Sequence, residues 1–443
     1  MVITSAFGGH RGDSMTTSEF RPFGFWTAMA LVVGGVIGAG IYVVPTEFAG
    51  LGWTGAMAWL VGGAGALLIG RVLTALIAAR PDEPGVIAVI GEVLGPIPGV
   101  LVGWGAWVSY WCANAYIALT AARYAGALVP GLAATPLRQT ITACLAIVAL
   151  SALNLSGLKG AGRFQVLTTA LKLLPLLAVM VILGGMAFSG GSATHPLIVP
   201  HAPFSLGGLL PATTLAMVAI IGFESASIAA ERIRDPERNV QRSTMAGITL
   251  ACVLYFVVCT GITFTVPAAR LAGSTAPVAL FIADHWGSWA GGAVAAFAVI
   301  SSIGCLNVWI MMQGEVPLGL VRAGLLPGWL GRTNDKDIAS APLVIASSLA
   351  CGLLLLANWR SGAQIMDFML KLTAVSGTWI YVFAALAALR LRLVPAVSAL
   401  ALVFALAIIA GAGFEAAWLG VALMLAALPL YALALRGTRG VVA

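Results

Sequence analysis

The sequence predicts an all-α polytopic membrane protein with about twelve transmembrane helices. Three observations carry that prediction. Hydrophobic residues make up 60% of the 443 residues and charged ones 9%, with a mean hydropathy of +1.01. A soluble chain of this length cannot hide so much apolar surface. Apolar runs of about 20 residues, long enough to cross a bilayer, recur along the whole chain with short polar breaks between them. Two of these runs, the first and the sixth, carry helix-weakening residues near their middles.

The spans read as 24–46, 53–79, 97–128, 137–155, 162–188, 209–230, 241–266, 288–317, 341–357, 362–389, 394–411 and 415–435. In the first, Gly34-Gly35-Val36-Ile37-Gly38-Ala39-Gly40 crowds glycine where a helix would cross the bilayer centre. Close helix packing is one reason for such glycines. A broken span that lines a substrate cavity is the other, because unravelled backbone in hydrocarbon is tolerated only against protein or water. The sixth span favours the second. Val218-Ala219-Ile220-Ile221-Gly222-Phe223-Glu224-Ser225-Ala226-Ser227 places a glycine, a carboxylate and two hydroxyls about as deep as the first cluster. Paired interruptions in corresponding spans point to an inverted-repeat transporter.

The remaining elements fit that frame. Arg80-Pro81-Asp82-Glu83-Pro84-Gly85 after span 2 leads into a short surface helix that ends at Gly95-Pro96. The Trp104, Trp107 and Trp111 stripe in span 3 reads as lipid or helix packing. Lys172 in span 5 lies about 16 Å along the helix from Ala161, too deep to snorkel, so a coupling proton or a structural hydrogen bond are its two readings. The alternating charges of Glu231-Arg232-Ile233-Arg234-Asp235-Pro236-Glu237-Arg238-Asn239 read as a solvated loop, with a moving gate of ion pairs as the alternative. Asp367 and Lys371 are spaced for an intrahelical pair. The domain plan is therefore a tail at 1–22, a first repeat at 23–188, a linker at 189–208, a second repeat at 209–389, and accessory spans with the C-terminus at 390–443.

The net charge of +7 follows the positive-inside rule better than nucleic-acid binding. Arg80, Arg163, Arg232, Arg238, Arg322, Arg332, Arg390 and Arg436 fall on one side, whereas Arg123, Arg138, Arg270 and Arg360 fall on the other. Both termini are expected in the cytoplasm and the chain in the inner (plasma) membrane. Six cysteines and four histidines form no ligand spacing, so neither a metal nor another cofactor is expected.

At paired breaks, half-helix ends present free N–H groups to a carboxylate and free carbonyls to an ammonium. They can hold both ends of an α-amino acid. Ala39 and Gly40 are candidates for the carboxylate, the carbonyls of Val36, Val218 and Ile221 for the amine, and Ile37, Gly38 and Gly222 complete the lining. Glu224, a carboxylate at membrane depth, could attract a cationic substrate, carry a proton or close a gate. A membrane enzyme would need a clustered catalytic set, and a channel would favour polar rings over paired breaks.

These residues carry a family likeness. On Gly38-Ala39-Gly40-Ile41-Tyr42, Gly222-Phe223-Glu224-Ser225-Ala226-Ser227 and Asp235-Pro236-Glu237-Arg238-Asn239-Val240, the chain resembles the amino acid–polyamine–organocation (APC) superfamily. Within it, the resemblance is to the basic amino acid/polyamine antiporters of the bacterial arginine/agmatine type. It implies a fold of five plus five inverted spans, with helices 1 and 6 broken and two accessory helices, working by alternating access. It places Asn114 and Trp309 against the substrate and Glu224 at a gate. Departures accompany it: Val218 replaces a gating tryptophan, Ala39 a serine, and Ala106 the tyrosine partner of the glutamate, with Tyr110 one turn along. Lys172 resembles the span 5 lysine of proton-coupled relatives. The expectation is exchange of a cationic amino acid for an amine, with proton-coupled symport of neutral amino acids through Lys172 as the alternative. Expected partners are a small-molecule substrate and the lipid bilayer, with no nucleic acid; proton coupling and a homodimer stay open.

Overall fold

The structure, a computed structural model, describes residues 21–38, 40–191, 196–198, 202–274, 276–357 and 362–439, without the side chains of 362–372, 374, 375, 414–416 and 436–439. Among the described residues it is helical, with only isolated β-bridges. The first span starts as α1 (Phe25–Val36) and leaves the helix at Ile37, whose backbone is extended. It resumes as a tight turn at Gly40–Tyr42 and as α2 (Val44–Glu47), which Pro45 helps to start. Next come α3 (Gly52–Ala79), the short α4 (Val86–Leu94), α5 (Pro96–Leu128), α6 (Pro136–Ser156) and α7 (Leu158–Ser189).

The second half repeats the pattern. Ser205 caps α8 (Leu206–Ile220) by accepting from Gly208 N at 3.3 Å. The helix breaks at Ile221-Gly222 and resumes as α9 (Ser225–Ile228) and a turn at Ala230–Arg232. Then follow α10 (Pro236–Thr265), α11 (Ala268–Ala272), α12 (Pro277–Trp286), α13 (Trp289–Arg322), α14 (Ser340–Ala357) and α15 (Gly362–Arg390). Three helices close the described chain: α16 (Pro395–Gly411), α17 (Phe414–Leu425) and α18 (Leu428–Arg439). Neither α1 nor α8, at about 18 and 23 Å, crosses the hydrocarbon alone. Each needs the piece beyond its break.

Packing relates the two halves. The third spans, α5 and α13, lie against each other, as do the second spans, α3 and α10. The contact of α1 with α10 has its counterpart in α8 with α3, and α7 on α13 has its counterpart in α15 on α5. Exchanging the halves thus maps each of these contacts onto another, and five spans per half turn the second half over. The short helices obey the same exchange. Helix α4 sits on α5 and touches α9; α12 sits on α13 and touches α2 and the Gly40–Tyr42 turn.

The sequence differs from the structure in details. The spans read from the sequence leave out 267–287, which holds α11 and α12; span 8 continues through Pro317 to Arg322, and span 12 turns between α17 and α18. Helix α7 starts at Leu158, so Lys172 lies deeper than counted from Ala161. Asp367 and Lys371 have their side chains outside the described residues.

Where the breaks meet, backbone approaches backbone closely. Gly222 has φ +114°, and a Cβ built on it would lie 2.6 Å from the Gly35 carbonyl oxygen; one built on Gly35 would lie 2.9 Å from that of Gly222. Around Gly40, by contrast, a Cβ meets nothing within 4 Å. Gly222→Ala is expected to cost about 2–6 kcal/mol through strain and overlap, and Gly40→Ala little. Thermal unfolding of the purified protein in detergent checks this, and equal midpoints for the two variants would refute the close approach.

Candidate functional site

Breaking α1 frees a row of carbonyls, and side chains from three other helices meet them. Lys172 Nζ on α7 donates to Gly34 O at 3.1 Å and Ile37 O at 2.6 Å. On α13, Trp309 Nε1 donates to Gly35 O at 3.1 Å, and Cys305 Sγ lies 3.3 Å from the same oxygen. Ser301 Oγ donates to Gly38 O at 3.0 Å, and the Tyr255 hydroxyl on α10 reaches Val36 O at 3.2 Å. The broken segment is thereby held in one shape without a helix of its own.

The sixth-span break is held differently. Gly222 N donates to Glu224 Oε2 at 3.0 Å, so the carboxylate caps its own break. Tyr381 on α15 donates to Oε2 at 2.9 Å, and Tyr110 on α5 to Oε1 at 3.4 Å. Glu224 is fully buried and, among the described residues, forms no ion pair. No described residue donates to the carbonyls of Val218, Ala219, Ile220 or Ile221. Here lies the open acceptor set, next to half-exposed Val218 and Ala219.

The structure therefore brings Val36, Ile37, Gly38, Gly222, Glu224, Tyr110, Trp309 and Lys172 together around the two breaks. The Tyr110 and Trp309 rings meet edge to face with centroids 5.4 Å apart. Asn114 lies one turn beyond Tyr110 and donates from Nδ2 to Gln313 Oε1 at 2.7 Å. Val218 and Ile221 close the end of α8. Gly40 borders open space, whereas Ala39 lies outside the described residues.

Sequence reasoning missed Tyr381, Tyr255, Ser301, Cys305 and Gln313. For the span 8 residues a signal existed. Ser301, Cys305, Trp309 and Gln313 recur every four residues, one face of a single helix. Span 5 has a similar face: Gln165, Thr168, Thr169 and Lys172 are all buried.

On the face where α1 begins, the charged run divides. Arg232 is 1% exposed; its Nε meets Glu315 at 3.1 Å and its Nη1 meets Asp337 at 3.0 Å. Burial acts against its charge, but Glu315, Asp337 and Glu231 outweigh that and raise the guanidinium above its ordinary range. Arg322 pairs with Glu231 and Asp337. The backbone of Phe23 exchanges bonds with Arg232 O at 3.1 Å and Arg234 N at 2.9 Å, which ties the first span to the same cluster. Arg234, Asp235, Glu237 and Arg238 remain exposed.

A profile of amino acid permeases matches residues 23–437, nearly the whole chain. The chain belongs to the amino acid permease family. It is thus a multi-pass transporter, and the APC likeness read from its two broken spans is confirmed. Similar proteins include a cadaverine/lysine antiporter of Escherichia coli strain K12, 26% identical over 363 residues that cover 81% of this permease and 80% of the relative. An arginine/ornithine antiporter of Latilactobacillus sakei is 26% identical over 342 residues, covering 74% of this chain and 71% of that one.

Removing Arg232 strands a buried carboxylate. Arg232→Met is expected to destabilise the permease by about 3–5 kcal/mol, and a second change, Glu315→Gln, to recover much of the loss. Unfolding in detergent measures both, and a single variant as stable as the parent would show that the buried pair holds nothing.

Proposed function

We propose that this permease exchanges a cationic amino acid for an amine across the plasma membrane, by alternating access, with both termini cytoplasmic. Supporting this reading above all is Glu224, a buried carboxylate between the two breaks that has three neutral donors and, among the described residues, no cation. Neutral donors stabilise a carboxylate, yet they leave its charge uncompensated in a low-dielectric site. A cationic substrate supplies the missing charge and the N–H groups that the Val218–Ile221 carbonyls lack. The two relatives, by their names antiporters of basic amino acids and diamines or ornithine, agree with it.

In this reading Gly40 and the backbone beside it face the substrate carboxylate. Trp309 and Val218 border its side chain. Tyr110 and Tyr381 release Glu224 as the site closes around substrate. The charged cluster at Arg232 holds the face of α1 shut until the bundle moves.

Lys172 favours a second reading, proton-coupled symport of a neutral amino acid. Its nitrogen bridges Gly34 O and Ile37 O, where a cation knits the broken helix to α7. Loss of a proton would weaken that link, so protonation could be coupled to the position of the first span.

Counterflow in proteoliposomes separates the two. Uptake of labelled lysine or arginine is expected only when the lumen contains amine or amino acid, and to fall about 10-fold or more in Glu224→Gln, the scale of a lost charged interaction. Undiminished uptake into empty vesicles driven by a pH gradient, and lost in Lys172→Ala, would instead establish symport.

A further inference from the structure

Behind the candidate site runs a ladder of buried polar side chains through four helices. Asn114 on α5 donates from Nδ2 to Gln313 Oε1 on α13 at 2.7 Å. Gln313 Nε2 lies 2.8 Å from Ser347 Oγ on α14 and 3.4 Å from Leu343 O. Ser347 Oγ is in turn 2.8 Å from Ser151 Oγ on α6. Asn114 and Gln313 are wholly buried, and Asn114 Oδ1 is a buried atom with no hydrogen-bond partner among the described residues.

The direction of these bonds is determined by chemistry. A main-chain carbonyl only accepts, so the end of Gln313 that faces Leu343 O must be its NH2. That turns Oε1 towards α5. An amide oxygen only accepts as well, so Asn114 must offer Nδ2, and its own oxygen is left over. A hydroxyl can serve in either sense, which lets Ser347 and Ser151 follow without opposing the order.

We propose that Gln313 is a positioning residue that fixes the Asn114 amide with its carbonyl oxygen free, so that the side-chain end of the site accepts from an N–H group, a primary ammonium or a guanidinium. This inference rests on the reading that the site at Asn114 takes a cationic amino acid, and it assigns the atom that selects one. The location agrees. Asn114 is one turn from Tyr110, which touches both Trp309 and Glu224, and Gln313 is one turn from Trp309. An unpaired acceptor at such a place disfavours an apolar side chain, which would leave it buried and unmet. Were the ladder reversed, Asn114 would present an NH2 instead, and the same position would favour a carboxylate or carbonyl.

Binding to the purified full-length protein, by displacement of labelled lysine, tests the assignment. The probes are lysine, arginine, the apolar isostere norleucine, and alanine. Wild type is expected to prefer lysine or arginine over norleucine. Gln313→Leu frees the amide to turn and is expected to lower that preference about 10- to 100-fold, while alanine affinity shifts less than about twofold. Gln313→Glu, protonated in this setting, keeps an acceptor towards Asn114 and a donor towards Ser347, and is expected to retain the preference. Ser347→Ala, a milder change should the leucine variant not fold, is expected to lower it in the same direction. An unchanged preference in Gln313→Leu and Ser347→Ala, or an equal fall for lysine and alanine, overturns the positioning role. A wild type that binds norleucine as well as lysine overturns the cationic reading itself, whatever the variants do.

Discussion

Everything in this molecule depends on one constraint: backbone that leaves a helix inside a bilayer must find a partner for each group it frees. Helix α1 stops at Val36, and from Gly34 to Gly38 each carbonyl meets a side chain from another helix. These donors come from α7, α10 and α13, so the break determines how three helices must stand around it. Helix α8 meets the same demand only in part. Glu224 and two tyrosines satisfy its first freed N–H and the carboxylate, while four carbonyls have no donor among the described residues. The asymmetry matters. One break is a scaffold, and the other has vacancies that a substrate ammonium can fill.

Charge is distributed to the same end. Lys172 and Glu224 are both buried without a charged partner among the described ion pairs, on opposite sides of the joined breaks. Each is costly, and each is tolerated through oriented neutral groups. Among the described residues, the only buried ion-pair cluster lies at the end of the bundle, around Arg232, where it joins the sixth span and the segment at Phe23 to α13 and the loop before α14. Under the proposed exchange, the rigid pairs would lie where a gate holds, and the unpaired charges where a ligand or proton comes and goes.

Much of this was legible in the sequence because the bilayer simplifies the problem. Hydropathy alone yields the spans, and glycine at the middle of two of them marks the breaks, since little else explains Gly38 and Gly222 at matching depth. Glu224 and Lys172 stand out because charge at that depth is rare. What stayed hidden is what is ordinary in a membrane helix. Ser301, Cys305, Tyr255 and Tyr381 suit plain packing, and only the fold shows which carbonyl or carboxylate each one faces. Helices α11 and α12 escaped because they are too short for periodicity to speak. The polarity of the Asn114–Gln313 ladder depends on Leu343 O, a main-chain atom that no residue type announces.

In the proposed exchange the two breaks form one site, with α8 supplying the vacancies. Hydrogen exchange of the protein in lipid, with and without saturating lysine, measures that most directly. Substrate is predicted to protect the peptides covering residues 36–42 and 217–224 together and to leave the second and seventh spans unchanged. Protection confined to one break, or found only at the faces of the bundle, would contradict it.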